Sequence, residues 1–163
     1  MRNLSPSVKA FVIADGFYYA GYSVINAFLS LLIVEKITGG RLLDLVGYAI
    51  SYYMLVRAIA EIPISRLTKR FSLIQKRNLI VVCYVSYGIL IFLLGQSVEI
   101  WHVFLIQTLI GLLDATAYPI KWTLFTKIVD KGNEELEWGL EDITSMVLPA
   151  IFTAVAGFVS ARF

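Results

Sequence analysis

Histidine and cysteine each occur once in 163 residues, as His102 and Cys83. A lone cysteine forms no internal disulfide, and one histidine leaves no Cys/His set for a metal, so Cys83, inside an apolar run, reads as a packing residue. Charge is scarce too: Asp, Glu, Lys and Arg make up 16% of the chain, against about a quarter in a soluble domain. HExxH, GxSxG and a phosphate-binding glycine loop are all missing, so the chain does not read as an enzyme and no cofactor or metal is expected. A net charge of only +2 argues against a nucleic-acid partner. No Pro/Gly/Ser-rich linker or low-complexity tract divides the sequence, which reads as one domain over 1–163.

What the chain has is oil. Hydrophobic residues are 58% of it and the mean hydropathy is +0.76. They gather into runs near the length, about 20 residues, that a helix needs to cross a hydrocarbon core of roughly 30 Å. A bilayer offers no water to backbone amides, so such runs are helices or a closed barrel. Barrel strands would alternate over about ten residues; these runs are longer and unbroken. The expected fold is therefore all-α and integral to the membrane, with five spans at about 8–34, 45–67, 79–95, 100–128 and 143–161. Ser5-Pro6 suits an N-cap followed by proline at the first helical position. The first run is too long for a signal-peptide core, so the N-terminus is expected to be retained.

The basic residues orient these spans. The stretch SRLTKRFSLIQKR, Ser65–Arg77, holds Arg66, Lys69, Arg70, Lys76 and Arg77 and no acid. It shares a side with Arg2, Lys9, Lys127 and Lys131, whereas the opposite side has Lys36, Arg41 and terminal Arg162. Lysine and arginine accumulate on cytoplasmic connections, so the N-terminus is expected inside and the C-terminus outside, in a multi-pass protein of the plasma or inner membrane. Five spans ending at Arg162-Phe163 read as the front portion of a longer protein.

Charge inside hydrocarbon costs about 2.5–3.5 kcal/mol per residue on insertion, so it turns toward protein or a wet cavity. At 100° per residue, Asp15, Tyr19, Tyr22 and Asn26 share one face of the first span, opposite Phe17, Val24, Phe28 and Leu31. Gln107, Gly111, Asp114, Tyr118, Lys121 and Phe125 form a second stripe on the fourth span, and Tyr53, Arg57 and Glu61 stand four apart on the second. These stripes either line a hydrated path or bond packed helices to one another. Arg57–Glu61 reads equally as a self-neutralising i,i+4 pair, and Lys121 either lines the path or reaches to the interface. His102 beside Trp101 reads as interfacial. Glu141 and Asp142, at the start of the fifth span, read as helix-capping acids.

The layout resembles the N-terminal half of a major facilitator superfamily transporter. That family carries a signature like G-x-x-x-D-R-x-G-R-R between helices two and three. Here Ser65, Lys69, Arg70 and Ser72 fill the places of its first glycine, aspartate, arginine and second glycine, so only Arg70 and the later basic residues Lys76 and Arg77 match. On the fourth helix Gln107-x-x-x-Gly111 keeps the glycine of an R-x-x-x-G pattern and loses its arginine. Leu136-Glu137-Trp138-Gly139 is similar to the usual start of the fifth helix, and Pro149 alone remains of the glycine-proline signature there. The resemblance implies an incomplete six-helix half built from inverted repeats, first and fourth helices lining a central path, and a missing C-terminal half. It also implies a cytoplasmic gate at Arg66, Lys69 and Arg70 with an Arg70–Asp130 contact. The function it implies is alternating-access transport of a small-molecule substrate, with Asp15, Glu61 or Asp114 as the candidate site of the substrate or a coupling proton. The alternative is a membrane scaffold whose stripes are helix contacts.

Overall fold

The computed structural model describes residues 4–40 and 44–160, the last by its backbone alone. Among the described residues every regular element is helical. The order is α1 Pro6–Leu31, a π-helical extension Leu32–Ile37, then α2 Asp44–Thr68, α3 Leu73–Gly95, α4 Ile100–Ile128 and α5 Glu134–Ser160. Five helices are long and apolar enough to cross a membrane, the make-up of a multi-pass membrane protein. Arg2, Arg41, Arg162 and the expected end of the fifth span at 161 lie outside the described residues.

The helices outrun the apolar spans because hydropathy marks the oil whereas capping marks the helix. Ser5 accepts the N–H of Val8 at 3.3 Å, so α1 does start at the Ser-Pro pair. α3 starts six residues before its apolar run. Ser72 accepts the Gln75 N–H at 3.3 Å and the Gln75 carbonyl oxygen accepts the Ser72 N–H at 2.8 Å, a reciprocal capping box. The expected basic loop Ser65–Arg77 is thus mostly helix: Arg66 is in the last turn of α2, Lys76 and Arg77 are in α3, and only Lys69–Ser72 connect them.

Two compact units emerge, one of residues 29–124 and the other of the two chain ends, through Phe28 and from Phe125. Within the larger unit α2 and α4 lie side by side. Tyr52 meets Thr108 at 3.2 Å and Phe104 at a ring separation of 5.3 Å, and Arg57 meets Tyr118 farther along. Positions advance together on both helices, so they run parallel. The same holds in the other unit for α1 and α5: Gly16 lies against Thr144 and Leu148, and Ser23 hydrogen-bonds Thr153 at 2.9 Å. Parallel pairs two and four elements apart are what a chain crossing back and forth requires.

Phe17, Phe28 and Leu31, the expected outer face of α1, are exposed, as are Ile59 and Ile62 of α2 and Phe92 of α3. In water these would be a liability; against acyl chains they are ordinary. Helix α4 is the most enclosed, with half of its most apolar window buried against none to 17% elsewhere.

Candidate functional site

The α4 stripe is the buried face of the most buried helix. Gln107, Asp114, Lys121 and Phe125 are all at least nine-tenths buried. Gly111 packs against α2: a Cβ there would lie 3.1 Å from the Tyr53 carbonyl oxygen. Small residues at such a seam let two backbones approach, and that approach sets the geometry one turn further along.

There the Tyr53 hydroxyl donates to Asp114 Oδ2 at 2.5 Å, a length typical of a hydroxyl on a carboxylate. Next comes Arg57, four residues beyond Tyr53, whose guanidinium lies 4.2 Å over the Tyr118 ring and 3.5 Å from Glu61. Lys121 extends the row. Its ammonium is 5.2 Å from the Tyr118 ring centre and 4.4 Å from that of Trp122, while Trp122 meets Tyr118 edge-on. Aromatic faces attract cations most when water is excluded, and Lys121 is only 3% exposed. Lys121 therefore stays inside the protein and does not reach for the interface. The stripes expected on α2 and α4 thus meet: Tyr53, Arg57 and Glu61 with Asp114, Tyr118 and Lys121.

The α1 stripe belongs to the other unit. Asp15 is 3% exposed, and Tyr19, Tyr22 and Asn26 are half-buried. Of the residues assigned to a gate, Arg66, Lys69 and Arg70 are exposed. Asp130 lies in the α4–α5 connection, its N–H donating to Glu137 Oε2 at 3.0 Å.

Three acids were misjudged from sequence. Glu141 and Asp142 are not capping acids, because α5 begins at Glu134, seven and eight residues earlier, and Glu141 is buried. Glu137, noted only as part of a family resemblance, is completely buried. It reaches back to the Asp130 amide, and Glu134 does the same for the Gly132 N–H at 2.7 Å, in a turn where Gly132 adopts φ 87°. Phe125 packs edge-on against Trp138 and stacks on Phe11. The signal was available: Glu137, Glu141, Thr144 and Leu148 step by four, three and four, so they share a face, and Thr144 and Leu148 meet Gly16. Truncating Glu137 to Ala should cost about 1–3 kcal/mol by removing the acceptor of a turn amide. Glu137→Gln keeps an acceptor and removes a buried charge, so it should come within about 1 kcal/mol of the parent. Denaturation of the purified chain in mixed micelles checks both; equal losses would mean the charge itself matters there.

A cavity of about 300 Å³ lies between the ends of α3 and α4, walled by Leu90, Leu93, Leu105 and Leu109 and edged by Gln96 and His102. It contains none of the buried charges. His102 rests against Trp101 at 4.0 Å between ring centres. Among the described residues no group of three or more His, Cys, Asp or Glu is placed to hold a metal ion. No protein-family model, no curated protein and no solved structure matches this chain.

Proposed function

We propose that this chain is the N-terminal portion of a secondary transporter resembling the major facilitator superfamily, moving a small solute across the plasma or inner membrane by alternating access. The carrying observation is Asp114 and Lys121, both buried on one face of α4 beside Tyr53 and Arg57 of α2. Ionisable groups at that depth mark pathways and coupling sites more often than packing. On this reading Asp114 carries the solute or a coupling proton, Tyr118 and Trp122 wall the path, and Arg57 and Lys121 set its potential. On α1, Asp15, Tyr19, Tyr22 and Asn26 are separate candidates for contact with water, a C-terminal half supplies the opposing wall, and the N-terminus faces the cytoplasm. Arg66, Lys69, Arg70 and Asp130 are the candidate gate residues on the cytoplasmic side.

One observation also suits a membrane scaffold: Tyr53–Asp114 is a satisfied hydrogen bond between helices, the glue such a protein uses. Thiol labelling separates the two. With Cys83 replaced by Ser, Tyr22→Cys and Tyr118→Cys should react with a charged, membrane-impermeant maleimide in the full-length protein, whereas Phe17→Cys and Ile59→Cys should not. If positions 22 and 118 prove as unreactive as the lipid-facing pair, no hydrated path exists and the scaffold reading stands.

A further inference from the structure

We infer that the α2–α3 turn is a binding surface for the headgroups of anionic phospholipids, a role independent of whether the chain transports anything. Arg66, Lys69, Arg70 and Arg77 are exposed and Lys76 is half-buried. Among the described residues none of the five takes part in an ion pair, whereas Arg57, farther back on α2, meets Glu61 at 3.5 Å. No acid interrupts Ser65–Arg77, and Glu61, the last acid before it, is occupied by Arg57.

The turn is also held rigid. Lys69 donates its N–H to the Ser65 carbonyl and Phe71 to that of Thr68, both at 3.0 Å, and the Ser72–Gln75 capping box fixes the start of α3. The backbone that carries the charges is therefore organised before a ligand arrives, and little loop entropy is lost on binding. α3 adds to them. Its first turn contains no acid, and Lys76 and Arg77 follow directly, where the positive end of the helix dipole disfavours cations. That placement concentrates positive potential which an external anion relieves.

Lipid fits better than a soluble acidic partner. The basic residues alternate with exposed Leu67 (65%), Leu73 (47%) and Ile74 (66%). The turn joins two helices that are long and apolar enough to span, which puts it at headgroup level. Apolar side chains there sink between acyl chains while lysine and arginine meet phosphates, the arrangement expected of a polybasic segment beside a span.

The test uses the full chain reconstituted in phosphatidylcholine with a minor share of phosphatidylglycerol, followed by extraction and mass spectrometry of the lipid that stays bound. Phosphatidylglycerol should be enriched severalfold at low salt, and high salt should bring it toward parity. The pairs Arg66→Gln/Lys69→Gln and Lys76→Gln/Arg77→Gln should each bring the enrichment most of the way to parity. Lysine-to-arginine exchanges should preserve it, and Lys127→Gln/Lys131→Gln should leave it unchanged. Pairs are used because neutralising all five would disturb insertion. Retention that is indifferent to salt and to both pairs overturns the inference. So does equal displacement by inorganic phosphate, which would indicate a free-anion site, or binding of polyglutamate without any lipid preference, which would indicate a protein partner.

Discussion

Gly111→Leu is expected to destabilise the chain by about 3 kcal/mol, the upper part of the range for overpacking a tight site. The first added atom already meets resistance: a Cβ at Gly111 falls 3.1 Å from the Tyr53 carbonyl oxygen, 3.1 Å from Val56 Cγ1 and 3.3 Å from Val56 Cβ. The carbonyl belongs to the hydrogen-bond ladder of α2, and a β-branched valine in a helix has one favoured rotamer, so neither neighbour yields. Leucine adds three more carbons, and α4 must move off α2. Because Asp114 is the next residue of the stripe, its 2.5 Å bond to Tyr53 breaks in the same movement. Gly111→Ala should destabilise far less, since it adds the Cβ alone and about 1 kcal/mol of helix propensity offsets part of the squeeze. Gly88→Leu is the control, as nothing lies within 4 Å of a Cβ there. Detergent-denaturation midpoints of the three variants decide it. A Gly111→Leu protein as stable as Gly88→Leu would mean that α2 and α4 do not pack as described.

The same pair of helices shows what could be read in advance. Run length revealed all five spans, because a bilayer demands about 20 apolar residues whatever they pack against. Turn-by-turn spacing revealed the stripes, since Asp114, Tyr118 and Lys121 share a face on any α-helix. What spacing lacks is the register between helices. Nothing in the sequence says that Tyr53 meets Asp114 rather than Gln107, because that depends on how closely Gly111 lets α2 approach. Helix ends were missed for a different reason. Leu73–Asn78 and Glu134–Asp142 are helical outside the oil, where hydropathy is silent and only capping speaks; Ser72-x-x-Gln75 was such a signal. Glu137 escaped because a glutamate near a helix start ordinarily faces water, and here it is completely buried.

Register also makes Asp114 separable into what it holds and what it does. Tyr53→Phe removes the donor and leaves a buried carboxylate with one fewer hydrogen bond, at a cost of about 1–3 kcal/mol. Asp114→Leu removes the acceptor of the buried hydroxyl's proton and should cost a similar amount. If the two groups stabilise the chain chiefly through each other, the double variant should cost less than the sum of the singles by about 1–2 kcal/mol, near the top of what interhelical hydrogen bonds measure in membranes. A coupling near zero would mean that the bond contributes nothing, and the cluster would then have to be explained by solvation alone. Asp114→Asn is the informative substitution. It keeps an oxygen for the Tyr53 hydroxyl, so the chain should stay within about 1 kcal/mol of the parent, while the charge is gone. On the transport reading, solute uptake by the complete protein should then fall at least about tenfold, equivalent to roughly 1.4 kcal/mol on the limiting step. Normal stability with normal uptake would reduce Asp114 to a hydrogen-bond acceptor. Loss of stability equal to that of Asp114→Leu would show that α4 needs the charge itself, held between Tyr53 and the neighbouring Arg57, before any solute is involved.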